Sequence, residues 1–285
     1  MTQQILKTVV EGLRFPEGNR WHDGALWFSD MHTGEVFRWD PGTEDTTLLA
    51  QVDGQSSGLA WTSTGKFVVS SMLDRKLYSI LPGGELETYA DLSELSQAPI
   101  NDIVLDEQTD RLYVGGFGYD LYKNEPPSPG PVFCVDPDGS SRLVADGFTF
   151  PNAAVILPGT RTIVVPETWG ERLTALDIAE DGSLVDRRLW AQLEPGTTPD
   201  GTCVDAEGGI WLSSLEGFEF QRVLEGGEVT NRIPTPGRHA VDCVLGGPEG
   251  RTLYLSTADS YTPTVTVDTR LGLIQAMQVD VPAAL

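Results

Sequence analysis

The feature that most constrains this chain is a repeated pattern of strand, tight turn and strand. Copies read ALWFSDMHTGEVFRWDP (25–41), KFVVSSMLDRKLYSILPGG (66–84) and RLYVGGFGYDL with PVFCVDPDG (111–139). They continue as RTIVVPETWGERLTALDIAEDG (161–182), GIWLSSLEGFEFQRVLEGG (209–227) and RTLYLSTADS with RLGLIQAMQVD (251–280). Aligned on Leu26, Phe67, Leu112, Ile163, Ile210 and Leu253, successive copies start about 41–51 residues apart, close to the ~40–50 residues of a propeller repeat. Another short strand precedes each copy: PEGNRWHDG, SSGLAWTSTG, INDIVLDEQTD, PNAAVILPGT, PDGTCVDAEGG and VDCVLGGPEG. A more polar fourth strand follows, as in TTLLAQV (46–52) and SRLVADG (141–147). Val, Ile, Leu, Tyr and Trp fill the runs, while Gly, Asp and Pro bound them. Four short antiparallel strands per unit describe a blade, and six units predict an all-β, six-bladed β-propeller. The leading ILKTVV stands outside the six units and is expected to pair with the last blade and close the ring, hiding two sheet edges.

The units fill 1–285 with no visible linker, so a single domain is expected, with KNEPPSPG (123–130) as an exposed loop in the third blade. Two β-sandwiches or an alternating βαβ chain fit the regular spacing poorly. The 31 Gly and 19 Pro of 285 residues supply the turns such a ring needs. Formal net charge is −23, with no basic run to offset it. Binding to phosphate backbones or anionic lipid surfaces is therefore not expected. MTQQILKTVVEG shows no basic segment leading into an apolar one, and no apolar run reaches ~20 residues, so a cytoplasmic protein is expected. Cys134, Cys203 and Cys243 are widely spaced in apolar runs and form no C-x-x-C pair, which suggests buried free thiols. No G-x-S-x-G elbow supports a serine triad.

The residue opening each innermost strand gives a column: Glu17, Ser57, Asn101, Asn152, Asp200 and Asp242. In a propeller these face the central channel near one mouth. Carboxylates and amides gathered there need water or a cation between them. Glu17, Asn101, Asn152 and Asp200 offer hard oxygens with a formal charge of −2 between them, which suits Ca²⁺, Mg²⁺ or Mn²⁺ better than a soft metal. Zn²⁺ would more commonly take His or Cys. A water-filled polar channel explains the same column equally well at this point.

Loops joining the second and third strands of each blade open at the same mouth. They carry Met31, His32, Met72, Phe117, Tyr119, Trp169, Phe218 and Tyr261; segments entering the inner strands add Phe15, Phe148, Phe150 and His239. About half of these are expected in the core, since aromatics are mostly buried. The remainder make an apolar wall suited to a small apolar or aromatic molecule. His32 and His239 are candidate general acids or bases.

FPEGNRWHDGALWFSDMHTGEVFRWDP resembles the opening blade of the senescence marker protein/gluconolactonase family, which includes regucalcin. PNAAVILPGTRTIVVPET is similar to that family's fourth inner strand, PDGTCVDAEGGIWLSS to its fifth and DCVLGGPEGRTLYLSTA to its closing signature, in the family's order from about residue 12 to 260. The resemblance implies one divalent metal in the channel, calcium first and magnesium, manganese or zinc otherwise. It places the metal ligands on Glu17, Asn152 and Asp200, with Asn101 on metal or substrate. It also implies a hydrolase opening a lactone or similar cyclic ester, with Asp200 and Asn101 at the reaction. Sugar-lactone members usually carry an Arg where this chain has Pro99, so an apolar or aromatic substrate is expected rather than a sugar. The expected pocket is Phe15, His32, Met72, Phe117, Tyr119, Phe150, Trp169, Phe218, His239 and Asp242; Asp242 has no role that the resemblance transfers. The protein is expected to act as a monomer or simple homodimer on a small-molecule substrate. The alternatives are an organophosphorus or ester hydrolase on the same metal centre and a non-catalytic calcium-binding propeller.

Overall fold

A computed structural model describes residues 6–284. Its sheets are six, each of four antiparallel strands. The innermost strands are Pro16–His22, Ser56–Trp61, Ile100–Asp106, Val155–Ile156, Pro199–Val204 and His239–Gly246. Each is followed outward by its hairpin partners in sequence order, which is the expected six-bladed β-propeller. The sixth sheet is completed by Lys7–Leu13, which pairs with Gly272–Gln278. The N-terminal segment thus closes the ring as expected; Ile5 of the leading run lies outside the described residues.

Burial follows the layers. The second strands carry apolar side chains such as Phe28, Val114, Ile163 and Leu212, all fully buried. The outermost strands alternate with or face solvent, as in Leu184–Gln192. Apolar clusters run between neighbouring blades, for example Ala60, Leu77, Ile100, Leu112 and Phe133 across the second and third. The fourth inner strand is the shortest, because Pro151 and Asn152 leave the ladder except for one isolated bridge to Glu167. Proline lacks the N–H that a regular ladder would use.

Residues 123–129 form an exposed loop, as expected, but it springs from a short 3₁₀ turn, Leu121–Lys123. Asp120 caps that turn by accepting hydrogen bonds from the Tyr122 and Lys123 N–H groups at 3.0 and 3.1 Å. One α-helix, Pro263–Thr269, crosses the same mouth from the sixth blade. No helix of the structure is long and apolar enough to cross a membrane. The three cysteines are free, but Cys203 is only half buried and its Sγ lies 3.9 Å from that of Cys243. Residues 40 apart in sequence become neighbours because the inner strands of adjacent blades stack side by side.

Candidate functional site

A repeated backbone bond fixes the register of the channel. The N–H groups of Met31, Met72, Phe117, Thr168 and Leu215 donate to the carbonyls of Phe15, Gln55, Pro99, Phe150 and Thr198, at 2.9–3.0 Å. In the sixth blade His239 pairs with Ala258 at the same place. Immediately after it the ladders slip, between Glu17 and Arg20, Ser56 and Leu59, Ile100 and Ile103, Pro199 and Thr202, and Ala240 and Asp242. Such bulges re-aim side chains. Two residues beyond the repeated bond stand Glu17, Ser57, Asn101, Asn152, Asp200 and, in the sixth blade, Val241. This corrects one expected position: Asp242 is one residue out of register.

Asp242 instead shares a second ring with Gly18, Gly58, Asp102, Ala153 and Gly201. Asp102 and Asp242 behave alike. Each accepts a hydrogen bond from the next residue's N–H, Ile103 at 2.6 Å and Cys243 at 2.8 Å. Each leans over a glycine of the preceding blade, Gly58 or Gly201, where any side chain would overlap the carboxylate. Arg20 donates to Asp102 Oδ1 at 2.8 Å and to the Ile103 carbonyl at 2.7 Å. The Asn19 N–H donates to Asp242 Oδ2 at 2.6 Å. These bonds tie the strand of Glu17 to the third and sixth blades. Burial, reinforced by Asp102 and opposed by Arg20, pushes the Asp242 carboxyl up to about 7.

Glu17, Asn101, Asn152 and Asp200 are all at least nine-tenths buried. Asn152 Nδ2 donates to Asp200 Oδ1 and, at 3.2 Å, to the Thr168 hydroxyl, while its Oδ1 accepts from the Ala153 N–H at 2.9 Å. As an oxygen ligand Asn152 would need its amide turned over. Asn101 Nδ2 reaches only the Pro151 carbonyl, at 3.5 Å. Burial and the charge of Asp200, with those of Asp102 and Asp242, push the Glu17 carboxyl well above the usual range. Burial and Asp242 do the same to Asp200. Glu17 Oε2 is buried without a hydrogen-bond partner, as is Ser57 Oγ beside it in the ring. An unpartnered carboxylate oxygen facing a second carboxylate fits a hard cation between them. Among the described residues no three His, Cys, Asp or Glu side chains converge, so amide oxygens must complete any ligand set.

Above this ring the expected mouth residues do converge. Phe15, Met31, Met72, Phe117, Tyr119 and Phe150 form one buried cluster with Val241, against which Trp169 and Tyr261 pack. Phe117 and Phe150 are 4.3 Å apart at their ring centres. Phe148 does not belong to it: the ring is fully buried between the third and fourth blades. Phe218 is exposed at the edge, 5.0 Å from His239. His239 Nδ1 lies 2.8 Å from the Leu215 carbonyl, so it carries the proton. His32 points elsewhere. It stacks on Phe15 and its Nδ1 sits 2.7 Å from Thr266 Oγ1 of the helix, and burial aided by Arg14 pushes its pKa down to about 4. It is a neutral strut for the helix rather than a general base at neutral pH.

Four residues at the mouth were not singled out from sequence. Tyr122 packs on the apolar cluster, and its hydroxyl is pushed far up by burial and by the charges of Glu17, Asp120 and Asp200, so it overlooks the acidic ring. A cavity of about 790 Å³ opens beside it, with Gln55, Arg75, Gln97 and Pro99 in its wall. An aromatic between Phe117 and the Pro-rich loop was the available signal for Tyr122; the polar three carry no motif.

Residues 15–259 match the model of the SMP-30/Gluconolactonase/LRE-like region. The chain belongs to that family. A pentonolactonase, XacC, of Haloferax volcanii is 25% identical over 264 residues, covering 89% of this chain and 85% of the relative. Regucalcin of Xenopus laevis is 24% identical over 263 residues, covering 88% and 85%. The solved structure of a calcium-binding protein, regucalcin, from Agrobacterium tumefaciens superposes with a TM-score of 0.82 at 20% identity, covering 98% of this chain and 95% of that one. That last likeness shows the fold the family shares.

Proposed function

We propose that the protein is a divalent-metal-dependent hydrolase that opens a lactone or similar cyclic ester with a small apolar or aromatic body. The observation that carries this reading is the buried pair Glu17 and Asp200, flanked by Asn101 and Asn152, with Glu17 Oε2 unpartnered. Membership of a family with a pentonolactonase relative supports a lactone as the reacting group. Glu17, Asn152 and Asp200 would hold the metal, with Asn101 on metal or substrate, and calcium is the first choice by likeness to a calcium-binding regucalcin.

When bound, the metal supplies Lewis-acid polarisation of the carbonyl oxygen. The protein's own groups do the rest. In the metal-free chain the Asn152 amide donates to Asp200 and to Thr168, and Thr168 donates to the Pro199 carbonyl at 2.8 Å, which fixes the strand that carries Asp200; turned over, the same amide would offer its oxygen to the metal. Asp200 takes the proton of the attacking water, or attacks the carbonyl carbon itself, in which case the ring C–O bond breaks to leave a mixed anhydride on Asp200 that water then hydrolyses. The cluster of Phe15, Met72, Phe117 and Phe150 excludes bulk water above it. A less screened environment strengthens every charge interaction at the reacting carbonyl. The Tyr122 hydroxyl, still protonated at neutral pH, would donate towards developing oxyanion charge.

The test is hydrolysis of a lactone panel with and without a chelator, beside Asp200→Asn. The expected result is loss of turnover in both, with metal restoring only the unsubstituted protein. Full turnover by chelated protein or by Asp200→Asn overturns the proposal. Turnover of a fluorophosphate in place of every lactone moves the reaction to phosphorus, and metal binding with no ester turned over makes the propeller a calcium binder. Hydrolysis in ¹⁸O water under single turnover separates the two roles of Asp200: label enters Asp200 only if the carboxylate attacks.

A further inference from the structure

Arg75 sits in an unusual electrostatic position. It occupies the turn between strands Phe67–Ser71 and Lys76–Ile80, in a left-handed conformation with φ 58°. Its side chain lines the 790 Å³ cavity together with Gln55, Gln97, Pro99, Tyr122 and Tyr261. Its Nε is buried and has no hydrogen-bond partner, and its Nη1 reaches only the Ser96 carbonyl, at a long 3.5 Å. Among the described residues no carboxylate pairs with it, in a chain with 42 Asp and Glu against 19 Lys and Arg. The other cation on the cavity wall, Lys123, is already held by Asp120 at 2.7 Å. A guanidinium carries five donors in a planar fork suited to a carboxylate, and a buried donor left unmade is costly. Something outside the chain is the remaining candidate for a partner.

The cavity adjoins the segments that lead into the inner strands of the acidic ring. Gln55 and Pro99 stand two residues before Ser57 and Asn101 on the inner strands, and Tyr122 joins the cavity wall to the charges of Glu17 and Asp200. Gln55 Oε1 is likewise buried without a partner, which leaves an acceptor for a ligand hydroxyl or N–H. The protein's overall charge repels anions, so an anionic group enters only where a local cation receives it.

We propose that Arg75 anchors a carboxylate on the substrate, so that the substrate class is a lactone bearing an apolar or aromatic body and a carboxylate. The guanidinium grips the carboxylate, the body lies against Tyr122, Tyr261 and Pro99 of the cavity wall, and the lactone carbonyl is turned towards the Glu17–Asp200 pair. Its substrate half rests on the hydrolase reading above; the anion-binding half does not.

The experiment uses two matched pairs of probes on the intact, metal-supplemented protein. Phthalide-3-carboxylate and phthalide are compared as substrates. The corresponding lactams, 3-oxoisoindoline-1-carboxylate and isoindolinone, which resist ring opening, are compared by calorimetry. The carboxylated member of each pair is expected to bind better, with KM or Kd lower by about 10–100-fold, the range of a hydrogen-bonded charge pair, and this advantage should shrink with salt. Arg75→Gln should raise KM for phthalide-3-carboxylate until the carboxylated and neutral lactones are no longer told apart. Arg75→Lys should restore part of the advantage; circular dichroism and melting check that both variants fold. Equal binding of carboxylated and neutral lactams, or an advantage that survives Arg75→Gln, overturns the proposal. If neither lactone is opened but lactam-carboxylate binding still depends on Arg75, the hydrolase reading falls and the anion anchor stands.

Discussion

Gly201→Ala should damage both stability and the acidic ring, and the structure says by how much. A Cβ on Gly201 would lie 2.5 Å from Asp242 Cα and from its Cγ, and closer still to Oδ1. Ordinary contact between such atoms needs about 3.5–4 Å. A rotamer change of Asp242 removes the overlap with Cγ and Oδ1 but not the one with Cα, so the inner strands of the fifth and sixth blades must separate by about 1 Å. Overpacking of that kind costs about 1–3 kcal/mol, and the backbone contact puts this case at the upper end. At about 2–4 °C per kcal/mol for a chain of this size class, the melting temperature should fall by about 5–10 °C. Asp200 is the preceding residue and moves with the strand; a displacement near 1 Å can cost about 100-fold in rate. Adding Asp242→Ser relieves the carboxylate overlap and leaves the Cα overlap, so the double variant should recover only part of the loss. The assay is a thermal melt together with metal titration and lactone hydrolysis. A Gly201→Ala protein with unchanged melting temperature and metal affinity would refute the register that places Asp242 over Gly201.

Three further outcomes follow from burial and charge. Glu17 and Asp200 are held above their ordinary values in the metal-free chain, so metal binding at neutral pH should release protons, visible as a calorimetric heat that varies with buffer ionisation enthalpy; buffer-independent heats at pH 7 would contradict it. His32 is held neutral down to about 4 against an ordinary value near 6.5, so the unfolded chain binds the extra proton. Its contribution to stability is complete above 6.5 and lost as pH falls from there towards 4, by about 3 kcal/mol at most; melting curves of His32→Gln should lack that part of the acid slope. Asp205 is fully buried and receives Arg222 at 2.6 and 3.2 Å plus the N–H groups of Glu207 and Gly209, both at 3.0 Å. Asp205→Ala removes the buried partner of Arg222 and leaves it only the exposed Glu207 as a charge partner, and should cost about 3 kcal/mol in chemical denaturation, whereas Glu207→Ala, at the exposed end of the same network, should cost under about 1 kcal/mol.

Why the blades were legible in sequence and parts of the channel were not comes down to what each position is selected to touch. A blade is a local object: strand alternation, turn glycines and a regular repeat are set by neighbours within some 45 residues, and these patterns are written in the chain. The strand that closes the ring was legible for the same reason, since an apolar run left over after six units has one unpaired edge to meet. The ring of channel residues is set instead by bulges, which insert residues without a sequence signature. In five blades the head of the inner strand could be found by its Pro, Ser or Ile neighbour. In the sixth, an aspartate stood where a polar ligand was expected, and chemical type pointed to Asp242 when the count from the His239–Ala258 pair places Val241 there, in the bulge. The neighbouring glycine was the usable clue: Gly58 and Gly201 are small because Asp102 and Asp242 occupy their side-chain space, so an acid that follows a glycine one blade earlier belongs to the second ring. The cavity wall was harder still. Gln55, Arg75 and Gln97 come from turns of one blade, Tyr122 from a capped turn of the next and Tyr261 from the last. No spacing links them, and what marks two of them appears only as geometry: Gln55 Oε1 and Arg75 Nε are buried with no partner among the described residues. Residues that bind a ligand leave their partner out of the sequence, so such unsatisfied groups locate a binding site that motifs do not.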